Sequence, residues 1–270
     1  MVKGLSIMTK SRKKALVTGA SHGIGKAIAI ALAKNGYDVG VNYCHNLKGA
    51  EDTCEIIRNI GSTPLLLQAD VSDYESLKNM FTEYEKSFDT IDLMVNNAGI
   101  SEFHPLLEVT HEQWERVTHT DWMAAFFGTQ FAARNMASHK TSGVIINMSS
   151  NHVDGCFPNA NIYAPNKAAV AIFCKNAAME LAPYNIRVLA LAPGYTNVWE
   201  NDNPIQSVAE RIPLRRFATP EEIADIVVFL ASDKCAYMTG TRITIDGGAL
   251  LPVVPENSLN GGSLLPQKYS

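Results

Sequence analysis

Only five of the 270 residues are cysteine, and they stand far apart at Cys44, Cys54, Cys156, Cys174 and Cys235. Odd in number and without a Cys-x-x-Cys pair, they indicate neither a disulfide framework nor a zinc site, so ordinary thiols and no metal are expected. A basic excess is also lacking: 23 Lys plus Arg stand against 27 Asp plus Glu, a net charge of −4. A surface that tracks nucleic-acid phosphates needs that excess, so the expected partner is a small molecule rather than a nucleic acid. No stretch approaches the roughly 20 uninterrupted apolar residues of a membrane-spanning helix. The start, Met1 to Lys14, is basic without the apolar core of a secretory signal. No membrane association is expected, and the cytoplasm is the expected compartment. Low-complexity disorder is excluded by a hydrophobic share of 46%.

What is present is an alternation. Short runs rich in Val, Ile and Leu at 15–18, 38–42, 64–69, 93–96, 144–148, 187–192 and 242–245 read as strands. Between them, helical periodicity marks 24–35, 48–60, 74–87, 112–137, 162–182 and 220–231. In the first of these, Ile24, Ile28 and Leu32 form an apolar stripe suited to facing a sheet. Strand–helix alternation predicts an α/β fold of Rossmann type, a doubly wound parallel sheet of about seven strands with helices on both faces. No internal repeat or central linker interrupts it. A single domain over about 13–250 is expected, between a basic tail at 1–12 and a Gly/Pro/Ser-containing tail at 251–270.

The first strand runs into Thr18-Gly19-Ala20-Ser21-His22-Gly23-Ile24-Gly25 and directly on into a helical pattern. Glycines at such a bend let the backbone turn sharply and approach a pyrophosphate, whose charge the N–H groups and dipole of the helix N-terminus stabilise. The spacing differs from G-x-G-x-x-G, so its place between the first strand and first helix carries the reading. An NAD-preferring site usually has an acid at the end of the second strand, where it binds the ribose 2′-hydroxyl and repels a 2′-phosphate. Here that stretch reads Val41-Asn42-Tyr43-Cys44-His45, without an acid. Ser21, His22, Asn42 and Lys48 are candidates to accommodate a phosphate, which favours NADP(H) and leaves NAD(H) open.

Tyr163 and Lys167 lie one helical turn apart at the start of a helical segment and share a face. A tyrosine serves as acid or base on an alcohol–carbonyl pair only when its pKa falls from about 10 towards neutrality, which costs about 4 kcal/mol. A nearby ammonium in a partly dry site supplies that. Ser150 stands at the C-terminal end of the fifth strand, the edge where open α/β sheets bind ligands, and its hydroxyl can hold a substrate oxygen.

The turn at Gly19–Gly25, Asn96-Asn97-Ala98-Gly99, Ser150, Tyr163, Lys167, Pro193-Gly194 and Asp246-Gly247-Gly248 occur in this order. In this the sequence resembles the short-chain dehydrogenase/reductase family of the classical type over about 13–250. The resemblance implies a nicotinamide cofactor, reversible alcohol–carbonyl hydride transfer and a homotetramer. Carried over, Tyr163 is the general acid/base, and Lys167 supports it while holding the nicotinamide ribose. Ser150, whose separation from Tyr163 fits the family better than that of Ser149, orients the substrate oxygen. Asp70-Val71 meets the adenine, Asn97 with Ala98 and Gly99 borders the cofactor, and Thr196 after Pro193-Gly194 lies near the carboxamide. Two departures stand out. Asp121 occupies the place where the family has an asparagine that completes a proton relay, and Pro165 interrupts the Tyr163–Lys167 turn, harmless only within the first turn of its helix.

The long stretch 195–219, with Trp199, Pro204 and Pro213, reads as a substrate lid that is polar at Asn197, Glu200, Asn201, Asp202 and Asn203. With His152, Asp154, Asn159 and Asn161 near the catalytic strand end, it suggests a sugar or polyol. Asn147-Met148-Ser149-Ser150 followed by His152 is similar to the glucose 1-dehydrogenases of this family. The glycine turn and second strand are equally similar to its 3-oxoacyl-carrier-protein reductases, and a hydroxysteroid-type ketone is a further reading. An alternative of another class, a catalytically weak NADP-binding sensor or scaffold, rests on Asp121 alone.

Overall fold

The apolar runs become seven strands: β1 Lys13–Val17, β2 Tyr37–Tyr43, β3 Pro64–Gln68, β4 Leu93–Asn96, β5 Val144–Met148, β6 Arg187–Pro193 and β7 Arg242–Ile245. They form one sheet in the order β3-β2-β1-β4-β5-β6-β7, and every neighbouring pair is parallel. The helices are α1 Gly23–Lys34, α2 Leu47–Asn59, α3 Tyr74–Phe88, α4 His111–Thr118, α5 Ala124–Ser138, α6 Tyr163–Leu181, α7 Gln206–Ala209 and α8 Pro220–Ala231. This computed structural model describes residues 12–198 and 206–251. Both expected tails, apart from Arg12 and Leu251, lie outside the described residues, as do Trp199, Glu200, Asn201, Asp202, Asn203 and Pro204 of the expected lid.

Burial on both faces explains why the strands read as unbroken apolar runs. Ala15 and Val17 enter one core cluster while Leu16 between them enters the other, and Ile146 and Ile145 divide in the same way. The stripe of α1 packs into the first cluster, with Ile28 and Leu32 fully buried beside Ile223, Ala224 and Val227 of α8. Burying each of those two side chains contributes about 1.5–3 kcal/mol. Two helices begin at capping boxes, Thr110 with Gln113 for α4 and Thr219 with Glu222 for α8, where Pro220 takes the first turn. Pro165 lies in the first turn of α6, which starts at Tyr163, so it removes no hydrogen bond from the helix interior.

The helix expected to run unbroken over 112–137 is interrupted. α4 ends at Thr118, a single π turn spans His119–Met123, and α5 begins at Ala124. The wider turn inserts an extra residue and rotates Asp121 inward, leaving it 2% exposed. Composition carries no signature of such an insertion, because each side of it remains helical.

The sheet order reverses between β1, which pairs outward to β2, and β4, which pairs outward to β5. A crevice forms at such a switch point above the carboxyl ends of the strands. Gly19, Asn97, Ser150 and Gly194, each just beyond a strand end, all line it.

Candidate active site

The turn after β1 is built to bring backbone close to a ligand. Gly19 and Gly23 have φ of +63° and +53°, in the left-handed region that side chains disfavour. A Cβ on Gly25 would lie 2.1 Å from the Gly19 carbonyl oxygen, so the first turn of α1 closes onto the loop only without a side chain. The N-cap residue of α1, His22, makes no capping hydrogen bond with its side chain, and the N–H groups and dipole of the helix start suit an anion. The Thr18 hydroxyl accepts from the Asn97 and Ala98 N–H groups at 2.9 and 3.0 Å, and the Asn97 amide donates to the Thr18 carbonyl at 2.9 Å. These bonds lock the end of β4 to the start of the turn.

Asn42, a candidate phosphate contact in the sequence, lines the cleft with its side chain already bonded to protein. It is 1% exposed; its Oδ1 accepts from the Gly19 N–H at 3.1 Å and its amide donates to the Leu67 and Ala69 carbonyls at 3.3 and 3.2 Å. Its side chain is spent on holding the glycine turn against β3. Tyr43 borders the cleft but is packed into the core, at 5% exposure. Lys48 does not line the cleft, whereas Ser21 and His22 do, joined Oγ to Nδ1 at 3.1 Å. At the mouth beyond β2 the half-buried Cys44 and the exposed His45 and Asn46 offer side chains, positions at which the lack of an acid was the only sequence signal. Asp70, Val71 and Ser72 line the same end, where Asp70 accepts from the Ser72 N–H and hydroxyl at 2.9 and 2.7 Å.

At the opposite end of the cleft, Ser150, Tyr163 and Lys167 come together as the sequence reading expected. The Lys167 ammonium lies 5.5 Å from the Tyr163 ring centroid and donates to the Met148 carbonyl at 3.2 Å. The two adjacent serines part company: the Ser149 hydroxyl donates to the Lys167 carbonyl at 2.9 Å, while that of Ser150 stands 3.1 Å from His152 Nδ1. Asp121 Oδ1 accepts from the Ile100 N–H at 2.8 Å, and Oδ2 lies 3.6 Å from Lys167 Nζ. Burial pushes the Asp121 carboxyl above its ordinary pKa, opposed by the Lys167 charge and the Ile100 N–H. Gly99 makes room for this pair, since a Cβ there would lie 2.9 Å from Asp121 Oδ1 and 3.0 Å from Lys167 Nζ. Behind them Asn96, Asn147 and Thr129 form a buried network, led by the Asn96 amide donating to Asn147 Oδ1 at 2.7 Å.

Pro193, Gly194, Tyr195, Thr196 and Val198 close the third side, and Tyr195 stacks on Phe217 at 5.2 Å. The cleft has a volume of about 930 Å³, in the range of cofactor sites. Of the residues that suggested a hydroxyl-rich substrate, only His152 lines it among those described. Asp154 is instead paired with Arg242 at 2.6 Å, and the Asn161 amide donates to the His104 carbonyl at 3.4 Å. Phe103 and His152 pack their rings against Tyr163 in the cleft wall, and Phe157 stacks on His152 outside the lining.

A glycine cradle at one end of the switch-point crevice and a Ser–Tyr–Lys group at the other define a dinucleotide-dependent oxidoreductase. Comparison with known proteins makes the class specific. The family described as enoyl-(acyl carrier protein) reductase matches residues 19–249. The 3-oxoacyl-[acyl-carrier-protein] reductase FabG of Staphylococcus aureus is 40% identical over 246 residues, covering 88% of this chain and 98% of its own. 3beta-hydroxysteroid dehydrogenase 1 of Eggerthella lenta is 37% identical over 245 residues, with 88% and 94% covered. Among solved structures, acetoin dehydrogenase YohF from Salmonella typhimurium superposes with a TM-score of 0.85 at 32% identity, covering 90% of this chain and 97% of the other. The chain belongs to the short-chain dehydrogenase/reductase family, and it is a nicotinamide-dependent oxidoreductase acting on CH–OH and keto groups.

Proposed function

We propose that the protein is an NADP(H)-preferring ketone reductase of the 3-oxoacyl type, reducing a keto group beside an apolar chain to a secondary alcohol. The observation that carries this reading is the pair of rings packed against Tyr163 in the cleft wall, Phe103 and His152, with Phe157 stacked on His152 from outside the lining. The 40% identity to a 3-oxoacyl-[acyl-carrier-protein] reductase supports the same choice. The polyol reading loses support because Asp154, Asn159 and Asn161 do not border the cleft.

The residues present fit a nicotinamide dinucleotide, since the cradle at Gly19, Gly23 and Gly25 admits no side chain where the pyrophosphate would approach. Of the cleft lining, Ser21, His22 and Ile24 would hold the pyrophosphate, Asp70 and Val71 the adenine, and Asn97, Ala98, Gly99, Pro193, Gly194 and Thr196 the nicotinamide. When bound, the nicotinamide supplies the hydride for the carbonyl carbon or accepts it from the alcohol. The chain's own work is on the oxygen. Ser150 donates a hydrogen bond that fixes the carbonyl, and Tyr163 gives its phenolic proton to the oxygen as negative charge develops there. The Lys167 ammonium beside the ring stabilises the phenolate that remains until solvent returns the proton. In oxidation each transfer reverses. Asp121, paired with Lys167, sets how much of that positive charge Tyr163 feels.

The proposal includes one catalytic domain over about 13–250 and a cytoplasmic homotetramer. A half-exposed aromatic surface of Trp122, Phe126 and Phe173, with Ile172 and Met179 exposed on α6, supports self-association. Turnover of an acetoacetyl thioester, acetoin, a 3-ketosteroid and glucose, followed by nicotinamide absorbance with both cofactors, tests the reading. The expected result is fastest reduction of the thioester with NADPH. Glucose oxidation without ketone reduction would overturn it, and light scattering at the mass of a monomer would reject the tetramer.

A further inference from the structure

The hydroxyl that holds the substrate oxygen is itself held. Ser150 Oγ lies 3.1 Å from His152 Nδ1, and it accepts from the His152 backbone N–H at 3.3 Å. The same Nδ1 lies 3.3 Å from the carboxamide oxygen of Asn151, which can only accept. With the Asn151 amide in this orientation, which leaves its Nδ2 buried without a hydrogen-bond partner among the described residues, a ring nitrogen that faces a carboxamide oxygen and a hydroxyl oxygen satisfies both when it carries the proton. In that tautomer the two lone pairs of Ser150 Oγ are taken by N–H donors, and its O–H is the only hydrogen-bonding capacity left for the cleft. In the other tautomer the hydroxyl would turn its proton to Nδ1 and present a lone pair to the substrate carbonyl, which repels it.

The imidazole is fixed for this purpose. Its ring stacks on Phe157 at 3.6 Å between centroids with planes 21° apart, lies 22° from the plane of Phe103 at 5.8 Å, and meets the Tyr163 ring edge-on at 5.3 Å. A ring so packed cannot flip to exchange Nδ1 for carbon without opening the wall. Nothing in the family resemblance assigns a role to position 152. We propose that His152 is a positioning residue that, through its Nδ1–H, makes Ser150 a dedicated hydrogen-bond donor to the substrate oxygen. The proposal rests on the keto-reductase reading for its kinetic consequence, but the tautomer is a property of the protein by itself.

The test has two arms. Nitrogen-15 NMR of the ligand-free protein, with the His152 signal assigned through its loss in His152→Phe, is expected to show the Nδ1–H form. An Nε2–H form would overturn the proposal whatever the substrate proves to be. The second arm measures kcat and KM for ketone reduction. His152→Phe keeps an aromatic ring in the stack and removes the nitrogen, and is expected to lower kcat about tenfold, the effect of one misdirected hydrogen bond, with a smaller change in KM. His152→Asn, whose amide nitrogen reaches the place of Nδ1 but whose stacking is lost, is expected to recover most of that turnover. In a Ser150→Ala background, His152→Phe is expected to cost nothing further. Full kcat in His152→Phe, or an equal additional loss without Ser150, would overturn the proposal. Absence of keto-reductase activity from the wild-type protein would instead reject the functional reading, with the NMR arm still deciding the tautomer.

Discussion

The Asp121 carboxylate lies 3.6 Å from the Lys167 ammonium, with the lysine side chain 5% exposed and the aspartate fully buried. A π turn delivers the aspartate and the first turns of α6 deliver the lysine, so the pair joins two helices behind the reacting oxygen. Asp121 Oδ2 has no hydrogen-bond partner among the described residues, so its interaction with Lys167 is chiefly one of charge. That charge offsets part of the ammonium's field on Tyr163. Asp121→Asn is therefore expected to move the basic-side rise of activity in the oxidation direction to lower pH without abolishing turnover. The inflection belongs to the coupled site and is read from kcat and kcat/KM across pH. A profile that stays in place would show that Asp121 is neutral during turnover.

Removing the proton donor separates chemistry from binding. Tyr163→Phe keeps the ring beside Lys167 and loses only the transferable proton, so turnover is expected to fall by a factor of about 10²–10⁴ or more with cofactor affinity retained. Lys167→Ala is expected to weaken both if the ammonium, as proposed, serves the tyrosine and also the ribose. Fluorescence titration of NADPH beside steady-state kinetics distinguishes the two variants. Unchanged affinity in Lys167→Ala would remove its second role.

Cofactor preference should turn on the mouth beyond β2. Cys44 is half-buried and borders the cleft, whereas Tyr43 is packed into the core, where a carboxylate would be costly. Cys44→Asp is expected to raise KM for NADPH by about tenfold or more while leaving that for NADH near its starting value, since the new charge repels only the 2′-phosphate. Equal loss with both cofactors would mean that the ribose lies elsewhere.

Much of this was legible in the sequence for physical reasons. Strands buried on both faces leave continuous apolar runs, so Val144-Ile145-Ile146 marked β5 directly, and the glycines after β1 marked a bend that no side chain tolerates. The proposed catalytic group was readable because Tyr163 and Lys167 are a local pair on one helix. What stayed hidden depends on distant partners. Asn42 clamps the glycine turn through carbonyls of Leu67 and Ala69 in another strand. Asp154, close in sequence to Ser150, turns away to Arg242 on β7. The inward turn of Asp121 follows from a one-residue register change that leaves the helical pattern intact on either side.

One exposed carboxylate ties the start of α8 together. Glu222 joins Arg216 through two short contacts of 2.7 and 2.6 Å and accepts from the Thr219 N–H at 2.9 Å in the capping box of α8. These donors, Arg216 first, hold its pKa at about 2 against an ordinary 4.5. A depressed folded-state pKa means that the unfolded chain takes up the proton first as pH falls. The stabilisation is therefore complete above about 4.5 and is lost between there and about 2. Because the carboxylate is 42% exposed, solvent screening limits the pair to about 1 kcal/mol or less. Glu222→Gln, which preserves a capping-box side chain, is expected to lower stability at pH 7 by no more than that, with the difference from wild type shrinking towards zero near pH 2. Thr219→Ala, which removes the cap itself, should cost about 1 kcal/mol with weak pH dependence. Urea unfolding of the three proteins at several pH values checks both, and a Glu222→Gln deficit that persists at pH 2 would show that packing rather than charge holds the start of α8.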